Sequence, residues 1–323
     1  MKIKKTHLYV GMIVVVIALS IAAFYFIKPV KETKEIEKLQ SPWLVDSNGY
    51  LSYPLDRGSV EFSRQDYGID GKLTIHKIIY QSRNGNIHGL LVLPTSAGEL
   101  LPGVVLLPGA GVSKESELKL AKKIALLDAA VLVIDQRGVG ETTIKINSIE
   151  QDYVDFLNGK EPSQHLMVYD ALRAYDLMKN APFTDSDRIA IAGESLGGRI
   201  AIIAAAIDRN IEGVLVISSA GLGFEKTNDT RVNSFLNSID SDHYIDQIAP
   251  RKIVVMHNAN DKNIPLSAAL RSYSKAQEPK QFVLVNDTTC NHGYCDSMYD
   301  GLVDALDYIV GIRSRTLVSV PAK

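Results

Sequence analysis

The stretch Gly193-Glu-Ser195-Leu-Gly197-Gly198 holds the side chain with the clearest capacity for chemistry in this chain. Glycine two before and two after a serine suits a very sharp turn from strand to helix, where larger side chains would clash. The following helix points its N-terminus at the serine, where developing negative charge is favoured. A serine hydroxyl is a weak nucleophile. It needs a base, and the base needs an acid to orient it.

With this motif the partners follow in the order Ser, then Asp or Glu, then His. His292 is the histidine in the right place, after the last strand and before the last helix. His76, His88 and His165 precede the serine, His243 falls in a variable segment, and His257 reads as a local turn residue. Asp261 follows the apolar run 252–256 and is the preferred acid; Asp287, at the next strand end, competes with it. Two backbone N–H groups are needed to hold an oxyanion. Leu196, just after the serine, is expected to supply one. Ala110, between Gly109 and Gly111, is expected to supply the other.

These residues must be held by elements that the hydrophobic pattern predicts. Apolar runs at 103–107, 129–134, 188–192, 213–217, 252–256 and 281–285 lack polar alternation. Strands of that kind are buried on both faces. Segments with helical spacing lie between them, at 115–127, 164–180, 196–208, 266–277 and 298–312. Strands separated by helices make right-handed crossovers into a parallel sheet. Two earlier strands, around 73–81 and 89–93, flank Asn84-Gly85 and read as an antiparallel hairpin. Ligands bind beyond the carboxyl ends of such strands, where the singled-out residues fall.

The expected organisation is an anchor at 1–27, a linker and loosely structured lead-in at 28–71, an α/β domain at 72–315 and a tail at 316–323. Leu8–Ile27 carries no charge, and as a helix it would span roughly 30 Å, a bilayer core. An uncleaved membrane helix is the preferred reading; a cleavable signal peptide or a buried helix are the alternatives. Lys2, Lys4 and Lys5 precede the span, and a short basic N-terminus usually stays inside, which would put the large domain outside the cytoplasm. The 35 basic and 37 acidic residues nearly cancel, which leaves no electrostatic footprint for nucleic acid. The two cysteines, Cys290 and Cys295, bracket His292; a loop disulfide and two free thiols are both open.

Taken together, these residues resemble the α/β-hydrolase superfamily. Within it the chain is most similar to the acyl-hydrolase and dienelactone-hydrolase-like group near the prolyl-oligopeptidase catalytic domains. The resemblance rests on Asn86–Pro94, Leu107–Gly111, Asp135–Gly140, Gly193–Gly198, Asp261 with Pro265, and His292-Gly293. It implies Ser195 as nucleophile, Asp261 as acid, His292 as base, and Ala110 and Leu196 as oxyanion donors. It also implies a structural role for Asp135 and Arg137 and a small ester or acyl substrate; with no zinc spacing, H-E-x-x-H or phosphate loop in the sequence, no metal or organic cofactor is expected. Two departures stand out. Pro108 occupies a position where members often have His, and Glu194 puts an acid beside the nucleophile. A solvated Glu194 is one reading; a substrate cation or a local pKa effect is the other. The stretches 141–163 and 221–249 could cover the site, the second as a short cap. An ester hydrolase is the expected function. A peptidase using the same residues and a non-catalytic binding protein are the alternatives. Only about seventy residues precede the predicted sheet, which argues against the gating propeller of prolyl oligopeptidases.

Overall fold

The computed structural model describes residues 42–95 and 100–312. The expected anchor at Leu8–Ile27 and the tail at 316–323 lie outside the described residues. Among those described, no helix is long and apolar enough to cross a membrane.

A two-stranded ribbon, β1 (Leu44–Val45) and β2 (Leu51–Ser52), comes first. Three antiparallel strands follow: β3 (Phe62–Asp70), β4 (Leu73–Ser82) and β5 (Gly85–Pro94). Strands and helices then alternate: β6 (Leu101–Leu107), α1 (Lys114–Ala125), β7 (Ala130–Ile134), α2 (Ile149–Leu157), α3 (Ser163–Lys179) and β8 (Thr184–Glu194). The remainder is α4 (Leu196–Ile207), β9 (Gly213–Ile217), α5 (Thr230–Ile239), β10 (Lys252–Asn258), α6 (Leu266–Lys275), β11 (Lys280–Val285) and α7 (Tyr299–Val310). Among the described residues β3 to β11 form one nine-stranded sheet in the order β11-β10-β9-β8-β6-β7-β5-β4-β3. Every pair from β11 to β7 is parallel, and the pairs from β7 to β3 are antiparallel.

The apolar runs become central strands because both of their faces are covered. One face packs on α3 and α4, with Met167, Leu172, Ile200 and Ile203 in that core. The other packs on α1 and α7, through Leu120, Ile124, Leu302 and Ile309. The hairpin turns at Arg83-Asn84, and Asn84 takes φ +63°, a conformation that Asn tolerates.

The lead-in is more ordered than expected. Its residues 62–70 form the edge strand β3, exposed along its whole length. A strand solvated on both sides shows no hydrophobic period, so only its pairing with β4 reveals it. Upstream, Arg57 bonds Asp176 at 2.6 Å and Asp208 at 2.5 Å, and the Tyr53 hydroxyl donates to the His165 carbonyl at 2.8 Å. These contacts tie the lead-in to α3 and to the end of α4.

Asp135 and Arg137, after β7, hold neighbouring elements together. Asp135 accepts from the Lys114 N–H at 2.7 Å, from Lys114 Nζ at 2.8 Å and from the Glu141 N–H at 3.0 Å. Arg137 makes a two-pronged contact with Asp170 on α3, at 2.6 and 2.7 Å, with both side chains almost wholly buried. Removing one member of a buried pair strands the other charge. Asp170→Ala is therefore expected to destabilise the fold by roughly 3–5 kcal/mol; urea unfolding of the two proteins checks it, and equal midpoints would contradict it.

Candidate active site

Ser195 sits between the end of β8 and the start of α4 with φ 49° and ψ −114°. A non-glycine residue in that region carries roughly 1–3 kcal/mol of strain. The surrounding backbone imposes it. The Ser195 N–H donates to the Ile217 carbonyl on β9 at 3.0 Å, and the Ser219 hydroxyl donates to the Ser195 carbonyl at 2.6 Å. A Cβ on Gly197 would lie 2.0 Å from the Leu107 carbonyl oxygen, and one on Gly193 would lie 2.3 Å from the Gly197 carbonyl. The two glycines let the chain reverse against the end of β6.

That contact carries the loop after β6 to the serine. A Cβ on Gly109 would stand 3.5 Å from the Ser195 Cβ. Ala110 follows it at the surface, and Gly111 takes φ +73°. Leu196 is the first residue of α4 and is buried.

His292 lies in the loop between β11 and α7. Its Nδ1 is 2.9 Å from Asp261 Oδ2 and 3.0 Å from Oδ1. An ionised carboxylate only accepts, so the ring donates from Nδ1 and leaves Nε2 as its acceptor. Asp261 Oδ1 also accepts the N–H groups of Asn263 at 2.9 Å and Ile264 at 2.8 Å. Burial pushes this carboxyl up. The Ile264 N–H, His292 and the Asn263 N–H outweigh that and hold it below the usual carboxylate range. Asp287 is turned elsewhere, with its carboxylate on the N–H and hydroxyl of Thr289.

The His292 loop reaches the serine turn through its neighbours. Glu194 Oε1 accepts the Tyr294 N–H at 2.9 Å, and the Ser218 hydroxyl donates to the Gly293 carbonyl at 3.2 Å. Cys290 and Cys295 are joined as a disulfide with Cα atoms 6.0 Å apart, which closes the loop around His292. Among the described residues no hydrogen bond joins the Ser195 hydroxyl to the His292 ring; such contacts tighten when substrate fills the site.

Three features escaped sequence reasoning. His257 is more than a turn residue: it is fully buried, and its Nε2 donates to the Ile264 carbonyl at 3.0 Å, bracing the loop that carries Asp261. Burial lowers its pKa. Glu194 is half-buried rather than freely solvated; burial raises its pKa, and Glu117 of α1 hydrogen-bonds it. Nothing in the amphipathic pattern of α1 marks Glu117 as different from its neighbours. The two stretches expected as covers, 141–163 and 221–249, each carry a helix. α2 and α5 pack through Phe235 against Tyr153 and Phe156, with ring centroids 5.4 and 5.5 Å apart.

A mostly parallel sheet with a serine on a strained strand-to-helix turn beyond a central strand defines an α/β-hydrolase. The acetyl xylan esterase (AXE1) family matches residues 55–288, and the chain belongs to that family. It is therefore an esterase-type hydrolase. The acetyl xylan esterase from Paenibacillus sp. R4 shares the fold at a TM-score of 0.64 and 20% identity, over 77% of this chain and 88% of that one. A glucuronoyl esterase from Solibacter usitatus does so at 0.58 and 13% identity, over 80% and 88%. The chain is 25% identical over 213 residues to the uncharacterized protein Rv2307c of Mycobacterium tuberculosis (strain ATCC 25618 / H37Rv), spanning 64% of this chain and 69% of that protein.

Alanine normally favours a helix over glycine by about 1 kcal/mol. At Gly197 the contact with Leu107 reverses that sign. Gly197→Ala is expected to lower stability by roughly 1–3 kcal/mol. A thermal melt checks it, and a stabilised variant would show that the turn is not close-packed.

Proposed function

We propose that the chain hydrolyses carboxylic esters through an acyl-enzyme on Ser195. The Ser195 oxygen attacks the ester carbonyl while His292 Nε2 takes its proton. The oxyanion is held by the N–H groups of Leu196 and Ala110. Collapse expels the alcohol, which receives the proton from His292. Water then attacks the acyl-enzyme, His292 takes a proton from it, and the acid leaves as Ser195 regains its own. Asp261 keeps the ring in the tautomer that leaves Nε2 free and stabilises the imidazolium.

The observation that supports this reading best is the contact of His292 Nδ1 with Asp261, in a loop joined through Tyr294 to the residue before Ser195. Family membership and the names of the folded relatives favour small acyl groups, acetyl first, on a sugar or other polyol. Among the described residues, a cavity of about 490 Å³ adjoins Glu194 and the Cys290–Cys295 loop, and one of about 600 Å³ lies between β3 and α3; neither is lined by Ser195 or His292. We also propose that Leu8–Ile27 anchors the enzyme in a bilayer with the catalytic domain outside the cytoplasm; its uncharged length supports this.

A fluorophosphonate probe is expected to label the wild type and not Ser195→Ala. His292→Ala is expected to lose about 10³-fold or more in kcat on acetylated sugars with its circular dichroism unchanged. An unlabelled wild type, or full turnover by His292→Ala, would remove the proposed mechanism. For the anchor, the full chain is expected in the carbonate-washed membrane fraction and a chain without residues 1–38 in the supernatant. Recovery of both in the supernatant would exclude it.

A further inference from the structure

We propose that Glu194, backed by Glu117, is a positioning residue whose shared proton sets the place of His292 relative to Ser195. This rests on the hydrolase reading above. Glu194 immediately precedes Ser195, and the residues that it touches immediately follow His292. Its Oε1 accepts the Tyr294 N–H at 2.9 Å. Gly293, at φ +76°, comes so close that a Cβ there would stand 2.7 Å from Glu194 Oε2. The carboxyl is thus a strut between the strand end that carries the nucleophile and the loop that carries the base.

Glu117 holds the strut from behind. It projects from α1, is 5% exposed, and hydrogen-bonds Glu194. Its Oε1 has no hydrogen-bond partner among the described residues. Two carboxylates are both acceptors, so a hydrogen bond between them requires one proton. Burial first, and the charge of Glu194 second, push the Glu117 carboxyl up to about 9. Burial also raises Glu194, against the opposing pull of the Tyr294 N–H, Glu117 and His292. Lys119 of α1 faces the same cavity, as do Asp287, Tyr294 and Asp296 of the loop. Lys119 and a protonated His292 favour ionisation of the pair, and the two aspartates oppose it.

The folded chain therefore keeps a proton that the unfolded chain releases near the ordinary carboxylate pKa. Stability from the pair is full below that value and declines as pH rises toward about 9. Above it, two buried anions repel each other and the strut loosens.

The test uses the full chain, an activated acetyl ester and amide exchange over residues 290–295. Glu194→Ala is expected to lower kcat on the order of 10²-fold with KM nearly unchanged, and to speed exchange in that loop. Glu194→Gln should recover most of the loss, because its amide oxygen can accept from Tyr294 and its nitrogen can donate to Glu117. In the wild type, kcat/KM should fall through about pH 9, and Glu117→Gln, with no proton to lose, should lack that fall. An active wild type with Glu194→Ala unchanged in kcat and exchange overturns the proposal, as does a Glu117→Gln profile identical to the wild type. If Glu194→Ala does not fold, the Glu117→Gln profile decides alone. A wild type that neither turns over the ester nor takes the fluorophosphonate sinks the hydrolase reading instead, and faster loop exchange in Glu194→Ala still reports the strut.

Discussion

Two backbones meet at Gly197 with no space for a side chain, and the arrangement of the site depends on that contact. A Cβ there would lie within 2.0 Å of the Leu107 carbonyl oxygen. The end of β6 and the first turn of α4 can approach so closely because each belongs to a buried layer. β6 is buried along its whole length between β7 and β8. α4 is apolar on nearly every face. The approach forces Ser195 into its positive φ, and the hydrogen bond to Ile217 holds it there. The strain at one residue is offset by the burial of many.

Carboxyl groups around this turn are pushed in opposite directions by their settings. Asp261 gathers donors from two backbone N–H groups and His292, and stays ionised. Glu194 and Glu117 gather one backbone donor and each other, and burial drives them toward sharing a proton. The pair with its one proton keeps a single negative charge behind the loop, and Asp261 supplies the one that orients the ring. Farther away, the Arg137–Asp170 pair fastens the loop after β7 to α3. The resemblance gave that loop a structural role, and its contacts agree.

The central strands and five of the helices were legible because burial leaves a clear pattern. Runs such as 213–217 are apolar without interruption, and the helices between them repeat at helical spacing. β3 was not legible. It alternates nothing, and its existence depends on a neighbour in the sheet. α2 and α5 were read only as parts of stretches that could cover the site. α2 carries Val154 and Leu157 exposed, and the buried face of α5 is narrow. The aromatic contacts between them come from residues distant in the chain.

The sequence by itself determined the candidate nucleophile, the order of its partners and the glycines that the turn needs. Those features are local, and local sterics decide them. Tertiary structure decided which aspartate His292 touches, since Asp261 and Asp287 both follow strands and only the folded loops present one of them to the ring. It decided that Cys290 and Cys295 pair, because closure of the loop brings their Cα atoms to 6.0 Å. It decided also that Glu194 is half-buried against Glu117. A carboxyl's protonation follows from its surroundings, and those are built by residues far away in the chain.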